Sequence, residues 1–107
     1  MNQKINVYLF WGDGCPHCEV AKMFFKKIAP ELGQYFELKE YEVWYNQENE
    51  KMLNTIATQL NHEARTVPYI VIGDKVFGTV TKEVEEEIKK TIITMAQSST
   101  YKDLIHS

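Results

Sequence analysis

The chain has 107 residues, of which 44% are hydrophobic and 25% are charged, and its formal net charge at pH 7 is −3. This length fits one domain, residues 1–107, with a core of its own, so folding does not depend on disulfides. The acidic total argues against a nucleic-acid or anionic-membrane partner, because either would need a basic patch.

The N-terminal residues 1–11 contain one lysine and a short apolar run, and they lack the small-residue cleavage site of a signal peptide. No segment of the chain reaches the roughly 18 consecutive apolar residues of a membrane helix. We therefore expect a cytoplasmic protein with no stable membrane contact. An extracytoplasmic domain is the alternative if the chain belongs to a longer protein with an upstream signal.

The first predicted element is a central strand at residues 5–11, where "INVYLFW" is almost continuously apolar. The run "GDG" ends this strand, and Pro16 suits the first turn of a helix, where its missing N–H costs nothing. The helix is predicted to end near Pro30, and its apolar stripe comprises Val20, Phe24 and Ile28.

Residues 36–45, "FELKEYEVWY", predict a second strand because they are rich in aromatic and β-branched residues. The alternation slips between Leu38 and Tyr41, which predicts either a late start or a bulge. Asn46 is placed to cap a second helix. The apolar stripe of that helix comprises Leu53, Ile56, Ala57 and Leu60.

Residues 69–72 and 75–78 predict a hairpin around a turn at Gly73-Asp74, with glycine in the first turn position. Thr81 is then placed to cap a last helix. The apolar stripe of that helix comprises Val84, Ile88, Ile92 and Met95.

The predicted element order is therefore β-α-β-α-β-β-α. A right-handed crossover makes the first two strands parallel, and the hairpin adds an antiparallel pair. We predict an α/β fold in which three main helices pack on both faces of a four-stranded mixed sheet. Residues 97–107 are expected to form a loosely ordered tail.

Both cysteines of the chain lie in the motif Cys15-Pro16-His17-Cys18. Unpaired N–H groups and the helix dipole stabilise a thiolate at a helix start, and His17 can add charge or a hydrogen bond to the same sulfur. We therefore expect Cys15 to be an exposed nucleophile of lowered pKa. Pro16 stiffens the turn, and Cys18 is placed to resolve a mixed disulfide formed at Cys15.

Two other interpretations of the cysteine pair are less favoured. A zinc site usually has a second pair of ligands, and His62 and His106 are isolated in the sequence, so we expect no metal. A purely structural disulfide would close too short a loop to restrict the unfolded chain much. The spacing therefore favours redox chemistry.

Five features together resemble the thioredoxin-like superfamily: the strand "VYLFW", the Cys-Pro-His-Cys motif opening a helix, "TVP" after the second helix, the hairpin and the last helix. The resemblance covers nearly the whole chain. Its layout is nearer the minimal glutaredoxin type than full thioredoxin. The segments "LFWGDGCPHCEVAK" and "VPYIVIGDKVFG" are similar to a group of small bacterial thioredoxin-like domains.

The resemblance implies a cis bond between Val67 and Pro68, in a loop that packs beside the cysteines. It assigns substrate contacts to Thr66, Val67 and Pro68, with the Val67 backbone pairing with an extended substrate. It also matches Trp11 to the tryptophan of the thioredoxin motif, where the ring either forms a wall of the site or packs in the core. Tyr69 has the same two alternatives.

The chain also departs from the family pattern. Leu9 stands where thioredoxins carry a buried acid, so deprotonation of Cys18 must use water or another group. The segment "FGTVTKE" replaces the Gly-Gly and Asp arrangement with which glutaredoxins bind glutathione. The Pro-His dipeptide is the one seen in periplasmic disulfide-oxidising proteins, although their inserted helical domain is missing.

His62 and Arg65 are interpreted as solvated loop residues, with a place at the substrate edge as the alternative.

The predicted function is thiol–disulfide exchange with protein substrates through Cys15 and Cys18. We expect a monomer that needs an unidentified redox partner and no cofactor, and the direction of the reaction stays open. A glutathione-dependent, glutaredoxin-like reductase is the alternative within the same class. A metal-binding module that uses the two cysteines as ligands is the alternative from a different class.

Overall fold

A computed structural model of the protein describes residues 3–64, 66–98 and 101. The sheet order is β2-β1-β3-β4, with β1 parallel to β2, and with both β1 and β4 antiparallel to β3. The predicted mixed sheet and element order are therefore confirmed. The elements are β1 (Ile5–Trp11), α1 (Pro16–Leu32), β2 (Phe36–Glu42), α2 (Gln47–Gln59), β3 (Tyr69–Ile72), β4 (Lys75–Phe77) and α3 (Lys82–Gln97).

Strand β1 lies inside the sheet between β2 and β3, and helices pack on both of its faces. Ile5, Val7 and Leu9 pack on one face with residues of α1 and α3. Tyr8 and Phe10 pack on the other face with residues of α2. This arrangement explains the continuous apolar run, and it confirms that helices cover both faces.

Helix α1 differs from its prediction in its end and in its buried face. The helix continues through Pro30 to Leu32, because the proline removes only one N–H bond near the last turn. Val20 is 48% exposed, since a strict four-residue spacing drifts around a helix of 3.6 residues per turn. The buried residues are Cys18, Ala21, Phe24, Phe25, Ile28 and Leu32.

Strand β2 ends at Glu42 and not at residue 45 as predicted. Its register with β1 is continuous from Ile5–Phe36 to Trp11–Glu42, so the strand has neither a late start nor a bulge. The chain then turns out of the sheet, because the Glu42 carboxylate accepts hydrogen bonds from the N–H groups of Trp44 and Tyr45, at 3.0 and 2.9 Å. Trp44 and Tyr45 continue the aromatic pattern of the strand in the sequence, but they lie beyond its end.

The predicted helix caps and the turn are confirmed. The Asn46 side chain accepts the Asn49 N–H at 3.0 Å, and the Thr81 hydroxyl accepts the Val84 N–H at 3.3 Å. Gly73 has a φ of +60°, which suits a glycine in the first turn position. None of the helices in the described part of the chain combines the length and the apolar character that crossing a bilayer requires.

The predictions for Arg65 and for most of the tail fall outside the described residues. In the described part of the tail the expected loose order is wrong, since Gln97 is the last residue of α3 and Ser98 is its C-cap. Tyr101 is held in place as well. Its hydroxyl accepts the Asn6 N–H at 3.1 Å, and its ring packs against the core next to α3. Strand β1 therefore holds this part of the tail.

Candidate active site

The two cysteines lie at the start of α1, directly after the loop that leaves β1. They form a disulfide, with their Cα atoms 5.2 Å apart. Cys15 is the N-cap residue, with an extended backbone, and Pro16 occupies the first turn. The predicted helix start at the motif is therefore confirmed.

Backbone N–H groups of α1 face Cys15. The Cys18 N–H lies 3.1 Å from Cys15 Sγ, and the Glu19 N–H donates to the Cys15 carbonyl oxygen at 3.2 Å. A thiolate at this position accepts the same N–H bond and lies at the positive end of the helix dipole. The geometry therefore stabilises negative charge on the first cysteine of the pair.

Cys15 is more shielded than the motif predicts. Cys15 exposes 5% of its surface and Cys18 exposes none. The expectation of an exposed Cys15 is therefore wrong for the oxidised protein. Its sulfur is bonded to Cys18 and lies 3.8 Å from the carbonyl oxygen of Val67. Cys15 is still the more accessible of the two residues.

His17 does not take the hydrogen-bonding role that the motif suggested. Its side chain is exposed, and within the described residues it donates no hydrogen bond to either sulfur. The donor to Cys15 is the backbone N–H of Cys18, which the helix start directs at the sulfur.

The loop before β3 packs beside the cysteines, as the resemblance implied. The bond between Val67 and Pro68 is cis, and Pro68 is buried. The Val67 carbonyl oxygen lies 3.8 Å from Cys15 Sγ, within reach of a reduced Cys15 thiol as a donor. Thr66 is exposed next to them. The sequence-predicted residues at 15, 18, 67 and 68 are thus brought together.

Trp11 belongs to the rim of the core and not to an open wall of the site. Its ring is half-buried against the cluster formed by α1 and α3. Lys22 Nζ lies 3.0 Å from the centroid of the ring, a cation–π contact that covers part of its surface. Of the two alternatives for Trp11, the structure therefore favours core packing.

Tyr69 points inward from β3, which decides between its two alternatives. The residue is 3% exposed, and its hydroxyl lies 3.3 Å from His62 Nδ1. Burial raises the pKa of the Tyr69 phenol. His62 itself is exposed, in line with its interpretation as a solvated loop residue.

Glu42 joins the loop before Cys15 to the loop after β2, and sequence reasoning missed it. Its carboxylate accepts the N–H groups of Asp13, Tyr45 and Trp44 at 2.9 to 3.0 Å. Burial raises the pKa of Glu42, but these hydrogen bonds and the charge of Lys22 outweigh it, so the pKa lies below the ordinary value of a glutamate. The available signal is its place near the carboxyl end of a strand parallel to β1, since the carboxyl ends of parallel strands meet at one sheet edge.

Glu42→Gln is expected to lower the free energy of unfolding near neutral pH. The amide keeps the shape of the side chain but loses the charge-assisted bonds to the N–H groups. Because the pKa of Glu42 is lowered on folding, its contribution is complete above the ordinary pKa of an unfolded glutamate and is lost as the pH falls through the lower folded pKa. Urea unfolding of both proteins across this range should show a difference that disappears in acid.

The matched control for this measurement is Glu40→Gln. Glu40 is an exposed residue of the same strand, and it is expected to leave the free energy of unfolding near the wild-type value at neutral pH. A constant difference between Glu42→Gln and wild type at every pH would contradict the role assigned to the carboxylate.

Within residues 3–64, 66–98 and 101, no group of three or more His, Cys, Asp or Glu side chains is arranged to hold a metal ion. The cysteine pair by itself supplies two sulfur ligands. A structural zinc site usually needs more than this.

Comparison with protein-family models matches residues 7–77 to the glutaredoxin family. Among solved structures, glutaredoxin 1 from Francisella tularensis, determined in complex with cacodylate, is 22% identical, with a TM-score of 0.52 over 83% of this chain and 98% of that one. A glutaredoxin from Archaeoglobus fulgidus is 25% identical, with a TM-score of 0.55 over 82% of this chain and 86% of that one. A comparison with curated proteins finds no match. The family match spans both cysteines and Pro68, and the structural similarity confirms the thioredoxin-like fold.

Proposed function

Since the chain belongs to the glutaredoxin family, we propose that it is a thiol–disulfide oxidoreductase that acts on protein thiols and disulfides by dithiol exchange. One observation carries the proposal. Cys15 and Cys18 form a disulfide at the N-terminus of α1, where the Cys18 N–H is directed at Cys15 Sγ. This environment favours the thiolate that exchange requires.

In the reducing direction, the Cys15 thiolate attacks one sulfur of a substrate disulfide. A disulfide between Cys15 and the substrate forms, and the second substrate sulfur leaves as a thiolate. Cys18 then loses its proton and attacks the Cys15 sulfur, which re-forms the internal disulfide and releases the first substrate sulfur as a thiolate. Two electrons pass from the enzyme to the substrate, and the oxidising direction is the reverse.

Residues around the cysteine pair contribute to this exchange. Val67 lies two residues before β3, with its carbonyl beside Cys15, so a substrate strand that pairs with Val67 brings its own cysteine to the Cys15 sulfur. Thr66 and Pro68 flank Val67 and contact the same substrate strand. Pro16 fixes the first turn, and His17 acts on the redox potential through its charge. An external thiol or disulfide partner must complete the cycle, and no cofactor is needed.

Glutathione is the second candidate substrate, because the family match favours it. The segment after the hairpin argues against it. The Thr81 hydroxyl, which could meet a glutathione carboxylate, already accepts the Val84 N–H as the cap of α3. A Cβ added at Gly78 would meet nothing within 4 Å, so this glycine does not line a close cradle among the described residues.

Two coupled assays separate the candidates. With dithiothreitol as reductant, we expect the protein to accelerate the reduction of insulin disulfides well above the uncatalysed rate. With glutathione, glutathione reductase and hydroxyethyl disulfide, we expect the rate to stay at the uncatalysed level. The opposite pattern would assign glutathione as the substrate. No acceleration in either assay would reject the proposed oxidoreductase.

A further inference from the structure

An exposed tryptophan from the loop after β2 packs against the loop that leads to the nucleophile. Trp44 packs on the backbone of Gly12, where an added methyl group would overlap the indole ring, and 53% of Trp44 remains exposed. Glu42 binds the N–H groups of both Trp44 and Asp13, at 3.0 and 2.9 Å. The ring is therefore held in place beside the loop that leads to Cys15.

Trp44 also lines a cavity that extends to the cis-proline loop. Its volume is about 220 Å³. Small-molecule sites usually measure about 300 Å³ or more, so this cavity suits one side chain better than a whole ligand. Val67 connects the cavity to the cysteine pair, because it lines the cavity and its carbonyl oxygen lies 3.8 Å from Cys15 Sγ. Its lining combines the apolar residues Val43, Trp44, Leu53, Ala64 and Val67 with the polar residues Glu50, Asn54 and Thr66.

One carboxylate, that of Glu50, also lines this cavity. Its side chain is exposed, and it forms no ion pair with any residue that the structure describes. A carboxylate attracts a basic group and repels an anion. The cavity therefore suits an apolar side chain with a basic neighbour, and it disfavours an anionic thiol such as glutathione.

We propose that this cavity, the Trp44 pocket, binds a bulky apolar side chain from an extended segment of a protein substrate, close to the substrate cysteine and to a basic residue. The inference rests on the function proposed above, because the pocket acts on exchange at Cys15. An extended chain rises about 3.3 Å per residue, so a side chain one or two positions from the substrate cysteine reaches the pocket. Trp44 and Glu50 then determine which protein disulfides react fastest.

The test uses short synthetic peptides with one cysteine, joined as disulfide homodimers. The residues on both sides of the cysteine are Phe or Ala, and the terminal residue is Lys or Glu. The homodimer of N-acetylcysteine methylamide serves as a reference without side chains. The rate at which each one oxidises the pre-reduced protein is measured by acid quench and chromatography, at low salt.

For the wild-type protein, we expect the Phe peptides to react about tenfold faster than the Ala peptides. We expect Lys peptides to react about threefold faster than Glu peptides. Trp44→Ala should bring the Phe/Ala ratio toward unity, and Glu50→Gln should do the same for the Lys/Glu ratio. Tyr45→Ala is the matched control, because Tyr45 is an aromatic neighbour that is 80% exposed and does not line the pocket.

A second variant separates pocket filling from damage to the loop. Ala64→Leu fills the cavity and leaves Trp44 in place, so it should also lower the Phe/Ala ratio. Ratios near unity in the wild-type protein, while the reference disulfide still reacts, would overturn the pocket and leave the proposed function standing. The pocket would also be overturned if Tyr45→Ala lowered the Phe/Ala and Lys/Glu rate ratios as much as Trp44→Ala and Glu50→Gln do. No reaction with any disulfide, the reference included, would reject the proposed function itself.

Discussion

Cys15→Ser is expected to reduce protein-disulfide exchange to the uncatalysed rate. A serine hydroxyl is not ionised near neutral pH and forms no disulfide, so the first step of exchange cannot occur. The fold should survive the change, because Cys15 is the N-cap of α1 and its sulfur accepts the Cys18 N–H. Serine is among the preferred N-cap residues and can accept the same bond. The insulin-reduction assay measures the loss.

The control for this experiment is Cys15→Ala, which removes both the thiol and the cap. Both variants should lack exchange, but alanine should lower the free energy of unfolding by about 1 kcal/mol relative to serine. Reduced wild-type protein is the reference, since neither variant can form the disulfide. Activity that persists in Cys15→Ser would contradict the role of Cys15 as the nucleophile.

The sequence could predict the elements whose determinants are local. The cap at Asn46, the cap at Thr81, the turn at Gly73 and the Pro16 helix start each depend on a few neighbouring residues, and the structure contains all of them. The continuous apolar run of residues 5–11 also has one simple explanation, burial of a central strand on both faces.

The parts of the candidate site that the sequence could not predict depend on contacts between distant segments. Glu42 reaches the Asp13 N–H because β1 and β2 are parallel and in register at Trp11–Glu42. The sequence pattern predicts a strand at Trp44 because aromatic residues favour strands, whereas Trp44 lies beyond β2 and packs on Gly12. The burial of Cys15 likewise depends on the loop at Val67, which is far away in the sequence.

Cys18→Ser is expected to stop turnover at the mixed disulfide between Cys15 and the substrate. The first step should remain fast, because the donor to the Cys15 sulfur is the backbone N–H of residue 18, which the substitution keeps. The second step needs a thiol at position 18, so the adduct persists. With a peptide disulfide as substrate, intact mass spectrometry should show one peptide bound per chain, released by dithiothreitol.

The burial of Cys18 decides how this experiment is controlled. The residue exposes none of its surface, so a serine hydroxyl there needs a hydrogen-bond partner that the thiol did not need. Cys18→Ala avoids this cost and should trap the same adduct. Wild-type protein under the same conditions should end as the internal disulfide without an adduct. Turnover at the wild-type rate in both variants would mean that an external thiol resolves the intermediate, which would contradict the dithiol mechanism while keeping Cys15 as the nucleophile.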